Sequence, residues 1–133
     1  MHLKLFLKVS PQKFTTKKSD TLRILAVDGS DVQIATNPGD STSYHPGSNG
    51  QKPYNLLHLN ALYDLEHHIY TDAVIQGRLN WNEHSALQEM VDRSDISKAL
   101  VVADRGYESY NNMAHIQEKG WYFLIRIKDG KME

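Results

Sequence analysis

Ala99-Leu100-Val101-Val102-Ala103-Asp104-Arg105-Gly106-Tyr107 decides how this chain is read. Five aliphatic residues closed by an acid and a glycine turn predict a buried strand with Asp104 at its carboxyl end, where open α/β sheets gather their chemistry. The arrangement has a counterpart far upstream, where Leu22-Arg23-Ile24-Leu25-Ala26-Val27 runs into Asp28-Gly29-Ser30. Two strands of this kind predict two carboxylates brought together across neighbouring strands. Taken singly, each Asp reads first as a turn or cap residue.

Downstream of Asp104 the pattern predicts a helix with Tyr110, Met113, Ala114 and Gln117 on its buried face. Gly120 ends it as the C′ residue, and a strand follows from Trp121, whose ring is expected in the core. A crossover of this length makes the two strands parallel and the connection right-handed. Upstream, Val32 and Ile34 alternate with polar neighbours and predict a return strand, with the hairpin turn at Asp28-Gly29-Ser30. Residues 37–53 hold three prolines and three glycines and predict a long loop. Residues 54–63 predict a strand with one apolar and one mixed face, and residues 69–76 its antiparallel partner. Asn80, three residues before Glu83, has capping-box spacing for a helix whose inner face is Leu87, Met90 and Val91, ending near Arg93. The fold class expected is α/β: an antiparallel meander followed by a right-handed βαβ unit on one mixed sheet, the order of ribonuclease-H-like nucleotidyl-transfer domains.

At 133 residues there is room for one core, with residues 1–20 as an arm or linker and residues 21–133 as the domain. A hydrophobic fraction of 40% with 23% charged residues is that of a folded soluble protein, and no apolar run approaches the ~20 residues of a membrane span. Lysines interrupt the first apolar residues, which spoils an export signal. The absence of cysteine excludes disulfides and thiolate metal sites and fits a cytoplasmic setting. A net charge of −1 argues against a sequence-independent DNA clamp. Basic charge is concentrated instead at the amino end, where Lys13, Lys17 and Lys18 are candidate DNA contacts and a solvated tail is the alternative. Histidines 67, 68 and 84 are read as exposed imidazoles in turns rather than zinc ligands, because adjacent strand residues point to opposite faces. Asp31, Asp40, Asp64, Asp72, Asp92 and Asp95 are read as solvated or capping groups.

Four motifs carry a family resemblance: Ala26-Val27-Asp28-Gly29-Ser30, the run from Tyr54 through His58 to Asp64, Asn82-Glu83-His84, and Ala103-Asp104-Arg105-Gly106-Tyr107. In order and spacing the chain resembles an IS4-type transposase of the group that uses an Asp-Asp-Glu triad on a ribonuclease-H-like fold. The resemblance implies that Asp28 and Asp104 are the first two catalytic, metal-binding acids. It also makes Arg105 a candidate phosphate contact, with pairing to a neighbouring acid as the alternative. The family's third acid lies in a Tyr-x2-Arg-x3-Glu-x6-Lys signature. Glu133 does not fit it, since Arg126 and Asp129 stand where Tyr and Arg are required. The expectation is therefore the front part of a catalytic domain, inactive alone.

What the resemblance implies chemically is metal-dependent phosphodiester hydrolysis at transposon ends and transfer of the freed 3′-hydroxyl to target DNA. Carboxylate oxygens suit Mg²⁺ or Mn²⁺, and two such ions about 3.5–4 Å apart neutralise charge on the attacking and leaving oxygens. The implied partner is DNA, with a homodimer as a candidate assembly and no membrane. Two other readings stay open: a non-catalytic nucleic-acid-binding or assembly remnant, and a self-contained nuclease that completes its site with Glu83 or Glu108.

Overall fold

The structure, a computed structural model, describes residues 21–127. The basic arm, with Lys13, Lys17 and Lys18, lies outside the described residues. Six strands form one mixed sheet: β1 (Arg23–Ile34), β2 (Tyr44–His45), β3 (Tyr54–Asp64), β4 (Ile69–Gln76), β5 (Ala99–Ala103) and β6 (Tyr122–Ile125). Their order is β2-β3-β1-β5-β6, with β4 also paired to β3. Pairing is antiparallel among β1 to β4 and parallel for β1 with β5 and β5 with β6. This is the expected sequence of an antiparallel part followed by a βαβ unit.

The hairpin expected at Asp28-Gly29-Ser30 does not exist. β1 runs unbroken through these residues and pairs with β3 from Leu25 opposite Asp64 to Ile34 opposite Asn55. Gly and Ser are turn signals in isolation, but here ten consecutive cross-strand pairs hold the backbone extended, and tertiary pairing overrides local preference.

Helix α1 (Glu83–Arg93) connects β4 to β5, and α2 (Tyr110–Glu118) connects β5 to β6. The cap of α1 is Asn82 rather than Asn80: its side chain accepts from Ser85 N–H. Ala86, Leu87, Met90 and Val91 pack as a continuous stripe onto Leu25, Val27, Leu62, Val74, Ala99 and Val101. The inner face of α2 differs from the expected one. Asn112 and Ile116 are buried, whereas Tyr110 is 90% exposed and Ala114 and Gln117 face outward. Asn112 tolerates burial because its amide donates to Tyr107 C=O, meets His84 Nδ1 and accepts from Gln88. At its carboxyl end Gly120, at φ +78°, donates to Gln117 C=O, and Trp121 N–H donates to Ile116 C=O, the paired bonds of a Schellman stop. Trp121 is buried, with its indole N–H on Ile96 C=O.

Both helices lie on the same face of the sheet, the one formed by Leu25 and Val27 of β1 and Ala99, Val101 and Ala103 of β5. On the opposite face, Ile24, Ala26, Leu100 and Val102 are only partly buried, and no helix among the described residues covers them. Residues 37–53 are better anchored than their composition suggests. Asp40 accepts from Thr42 and Ser43, and the buried Asn55 side chain ties Asn37 to Ser43.

Candidate active site

β1 and β5 are direct parallel neighbours, with Ala26 opposite Val102 as their last registered pair. Asp28 and Asp104 each stand two residues beyond that pair, so strand alternation directs both carboxylates to the same side of the sheet. Both are solvent-exposed. Asp104 is extended, at φ −76° and ψ 168°, and its carboxylate caps the 3-10 turn Arg105–Tyr107 by accepting from Arg105 N–H at 2.8 Å. Asp28 accepts from Gly29 N–H at 3.0 Å. The capping reading of Asp104 therefore holds, and it leaves lone pairs on the carboxylate available to a further ligand. Arg105 is exposed, and among the described residues it has no ion-pair partner.

Tyr107 ends the 3-10 turn that Asp104 caps. It is buried, its hydroxyl donates to Asn60 Oδ1 at 3.0 Å, and burial, then the charges of Glu83 and Asp28, push its phenol well above the ordinary value. It is therefore a fixed hydrogen-bond donor. Tyr70 is raised too, by burial first and then by Tyr63 and Asp28.

A further acid lies close by. A Cβ placed on Gly29 would meet Glu83 Oε1 at 2.8 Å, and one on Gly106 would meet Oε2 at 3.4 Å, so the Glu83 carboxylate lies against both acid-bearing segments from the helix-covered face that Gly29 shares with Leu25 and Val27, the face opposite the one to which alternation directs Asp28. Its Oε1 contacts His58 Nε2 at 3.2 Å, and His58 Nδ1 contacts Asp31 Oδ1 at 2.8 Å. The imidazole is almost fully buried and stacks on Trp81 with ring centroids 4.4 Å apart. Among the described residues no group of three His, Asp or Glu side chains is arranged to hold a metal by itself. Two exposed carboxylates on neighbouring strands, Asp28 within β1 and Asp104 just past the end of β5, are hard oxygen donors and fit part of a site for a divalent cation.

A family profile described as Transposase DDE domain matches residues 19–133. The chain belongs to this family of transposase domains. No curated protein and no solved structure matches it at a significant level.

Sequence reading of the transposase domain reached Asp28 and Asp104 through their position after aliphatic runs. It singled out Glu83 as a possible site acid but missed the Asp31-His58-Glu83 line, because Asp31 resembles an ordinary surface acid and the link runs through His58 on another strand. The available signal was Gly29 inside a strand, which marks a close approach. Two further readings are corrected. Asp64 is fully buried: it accepts from Glu66 N–H and His67 N–H, and it pairs with Arg23 and His67. His84 is partly buried against Asn112 rather than exposed in a turn. An open cleft lined by Arg23, Tyr70, Asp72 and Arg93 lies at the opposite end of the strands from Asp28 and Asp104.

Proposed function

We propose that this transposase domain is of the IS4 type on a ribonuclease-H-like fold, and that Asp28 and Asp104 are two of the three acids that hold Mg²⁺ or Mn²⁺ for cutting and joining DNA. The observation that supports this reading above the others is the registered β1–β5 pair, which aims both exposed carboxylates to one side of the sheet. When bound, the ions supply Lewis acidity and lower the pKa of a bound water.

The chain's own residues do the rest. Asp28 and Asp104 bring two negative charges on hard oxygens, and the Arg105–Tyr107 turn fixes the Asp104 backbone. The Arg105 guanidinium, exposed beside the pair, is positioned to meet a DNA phosphate. Two divalent ions carry +4 against −2 from the two aspartates, so the site needs the additional carboxylate that the family supplies downstream. The DNA partners are the transposon ends and the target, which fits a cytoplasmic setting.

The test is divalent-ion-dependent nicking and strand transfer of DNA bearing the element's ends. The substrate is offered to the chain alone and to the chain extended by its natural downstream coding sequence. The extended protein is expected to act, its Asp28→Asn and Asp104→Asn variants to lose activity by orders of magnitude while remaining folded, and the chain alone to be inactive. Nicking by the chain alone that vanishes in Asp104→Asn overturns the incomplete-site reading in favour of a self-contained nuclease.

A further inference from the structure

Next to the proposed site, among the described residues, an ionisable network centred on the buried His58 is not used by the reaction outlined above. His58 is a strand residue, yet both of its ring nitrogens face carboxylates, Asp31 on one side and Glu83 on the other. Each ring nitrogen thus has a carboxylate oxygen within hydrogen-bond distance, which holds the ring between the two acids. Trp81 stacks on the ring and fixes its plane. A glutamate in the first turn of a helix already has favourable electrostatics and needs no such clamp. The clamp nevertheless exists, and Gly29 leaves bare the space that the carboxylate occupies, since a methyl there would overlap Oε1. Tyr107 lies within reach of the charges of both Glu83 and Asp28.

We propose that Asp31 and His58 are positioning residues that hold the Glu83 carboxylate against the Gly29 and Gly106 segments, behind the strand that carries Asp28, where its negative charge strengthens cation binding at the Asp28–Asp104 site from outside the ligand set. The inference rests on the assignment of Asp28 and Asp104 as metal ligands. Its physical basis is that a fixed negative charge close to a divalent cation attracts it through Coulomb forces even when it is not a ligand. Glu83 also lies on a helix that is built into the core through Ala86, Leu87, Met90 and Val91, so the carboxylate is carried on a rigid element.

The test is a Mn²⁺ titration of the 133-residue chain, read by paramagnetic broadening of assigned backbone amide signals. Broadening centred on residues 28 and 104 is expected in the wild type and is expected to vanish in Asp104→Asn. Glu83→Gln keeps shape and a hydrogen-bond acceptor, and should weaken Mn²⁺ about tenfold. His58→Gln should weaken it several-fold by releasing Glu83. Glu89→Gln, an exposed acid on the same helix, should leave it unchanged. Thermal unfolding of each variant confirms that it is folded, and Glu83→Gln is the decisive one because its side chain is partly exposed. Wild-type affinity in Glu83→Gln, with binding still abolished by Asp104→Asn, overturns the inference and leaves the site assignment standing. Loss as complete as in Asp104→Asn makes Glu83 a direct ligand and overturns it in the other direction. Broadening that avoids residues 28 and 104 in the wild type overturns the site assignment itself.

Discussion

Arg23, at the start of β1, grips the fully buried Asp64, at the end of β3, through both Nε at 2.8 Å and Nη2 at 2.7 Å. The same carboxylate accepts the backbone N–H groups of Glu66 and His67, so one side chain closes the β1–β3 ladder and shapes the turn into β4. Breaking a buried pair by removing one partner costs about 3–5 kcal/mol, and the 18% exposure of Arg23 places this pair at or just below the low end of that range. Asp64→Asn is expected to lower the unfolding free energy by about 3 kcal/mol, measured by urea denaturation with an unchanged m-value.

Acid stability follows from the same carboxylate. Burial works to raise its pKa, but hydrogen bonds from His67, Arg23 and Glu66 outweigh it and hold the group below its ordinary value. A depressed folded pKa contributes stability that is fully present above the unfolded value of about 3.9 and is lost as pH falls through the folded value. Unfolding free energy should therefore drop as pH is lowered below about 4, and Asp64→Asn should flatten that part of the profile.

Two glycines give a contrast in what a single methyl does. At Gly29 the added carbon meets side-chain atoms, Glu83 Oε1 and His58 Nε2, each at 2.8 Å. At Gly77 it meets the Thr42 carbonyl oxygen at 2.7 Å, which is backbone and cannot swing aside. Overpacking costs about 1–3 kcal/mol. Gly29→Ala is expected at the low end, with the His58 ring resonances displaced as Glu83 moves away. Gly77→Ala is expected at the high end, read from the difference in Tm.

Tyr107→Phe removes the donor to the buried Asn60 Oδ1 while keeping the ring. An acceptor left without its partner in the interior costs about 1–3 kcal/mol. The variant should unfold at lower denaturant and still bury its aromatic ring, which near-ultraviolet circular dichroism would report.

The aliphatic runs made β5 and the first half of β1 legible, and the helical stripe of α1 was legible from Leu87, Met90 and Val91. Three features were hidden, each for a physical reason. Gly29-Ser30 has the composition of a turn, and only the ladder to β3 keeps it extended. The inner face of α2 turns on Asn112, a polar side chain whose partners, Tyr107, His84 and Gln88, lie on other segments, so no periodicity of apolar residues reveals it. The mixed face of β3 is the one turned to the helices: His58, Asn60, Leu62 and Asp64 are buried, while Leu57 and Leu59 are only partly covered. Hydrophobicity alone points the other way. Among the described residues every buried side-chain nitrogen and oxygen has a partner, and that satisfaction, invisible in one dimension, is what permits the inversion.

Because both helices sit on one side of the sheet, neighbouring positions along a single strand differ sharply in what they can tolerate. Leu25 and Val27 are enclosed on every side, so truncation there opens a void, whereas Ile24 and Ala26, one residue away, give up only partly wetted area. A saturation scan of β1 would show a beat of two residues, severe and mild in alternation, across Ile24 to Val27. A cover that docks on the second face in a longer protein would damp that beat, so its amplitude measures, position by position, how much of the sheet another segment has claimed.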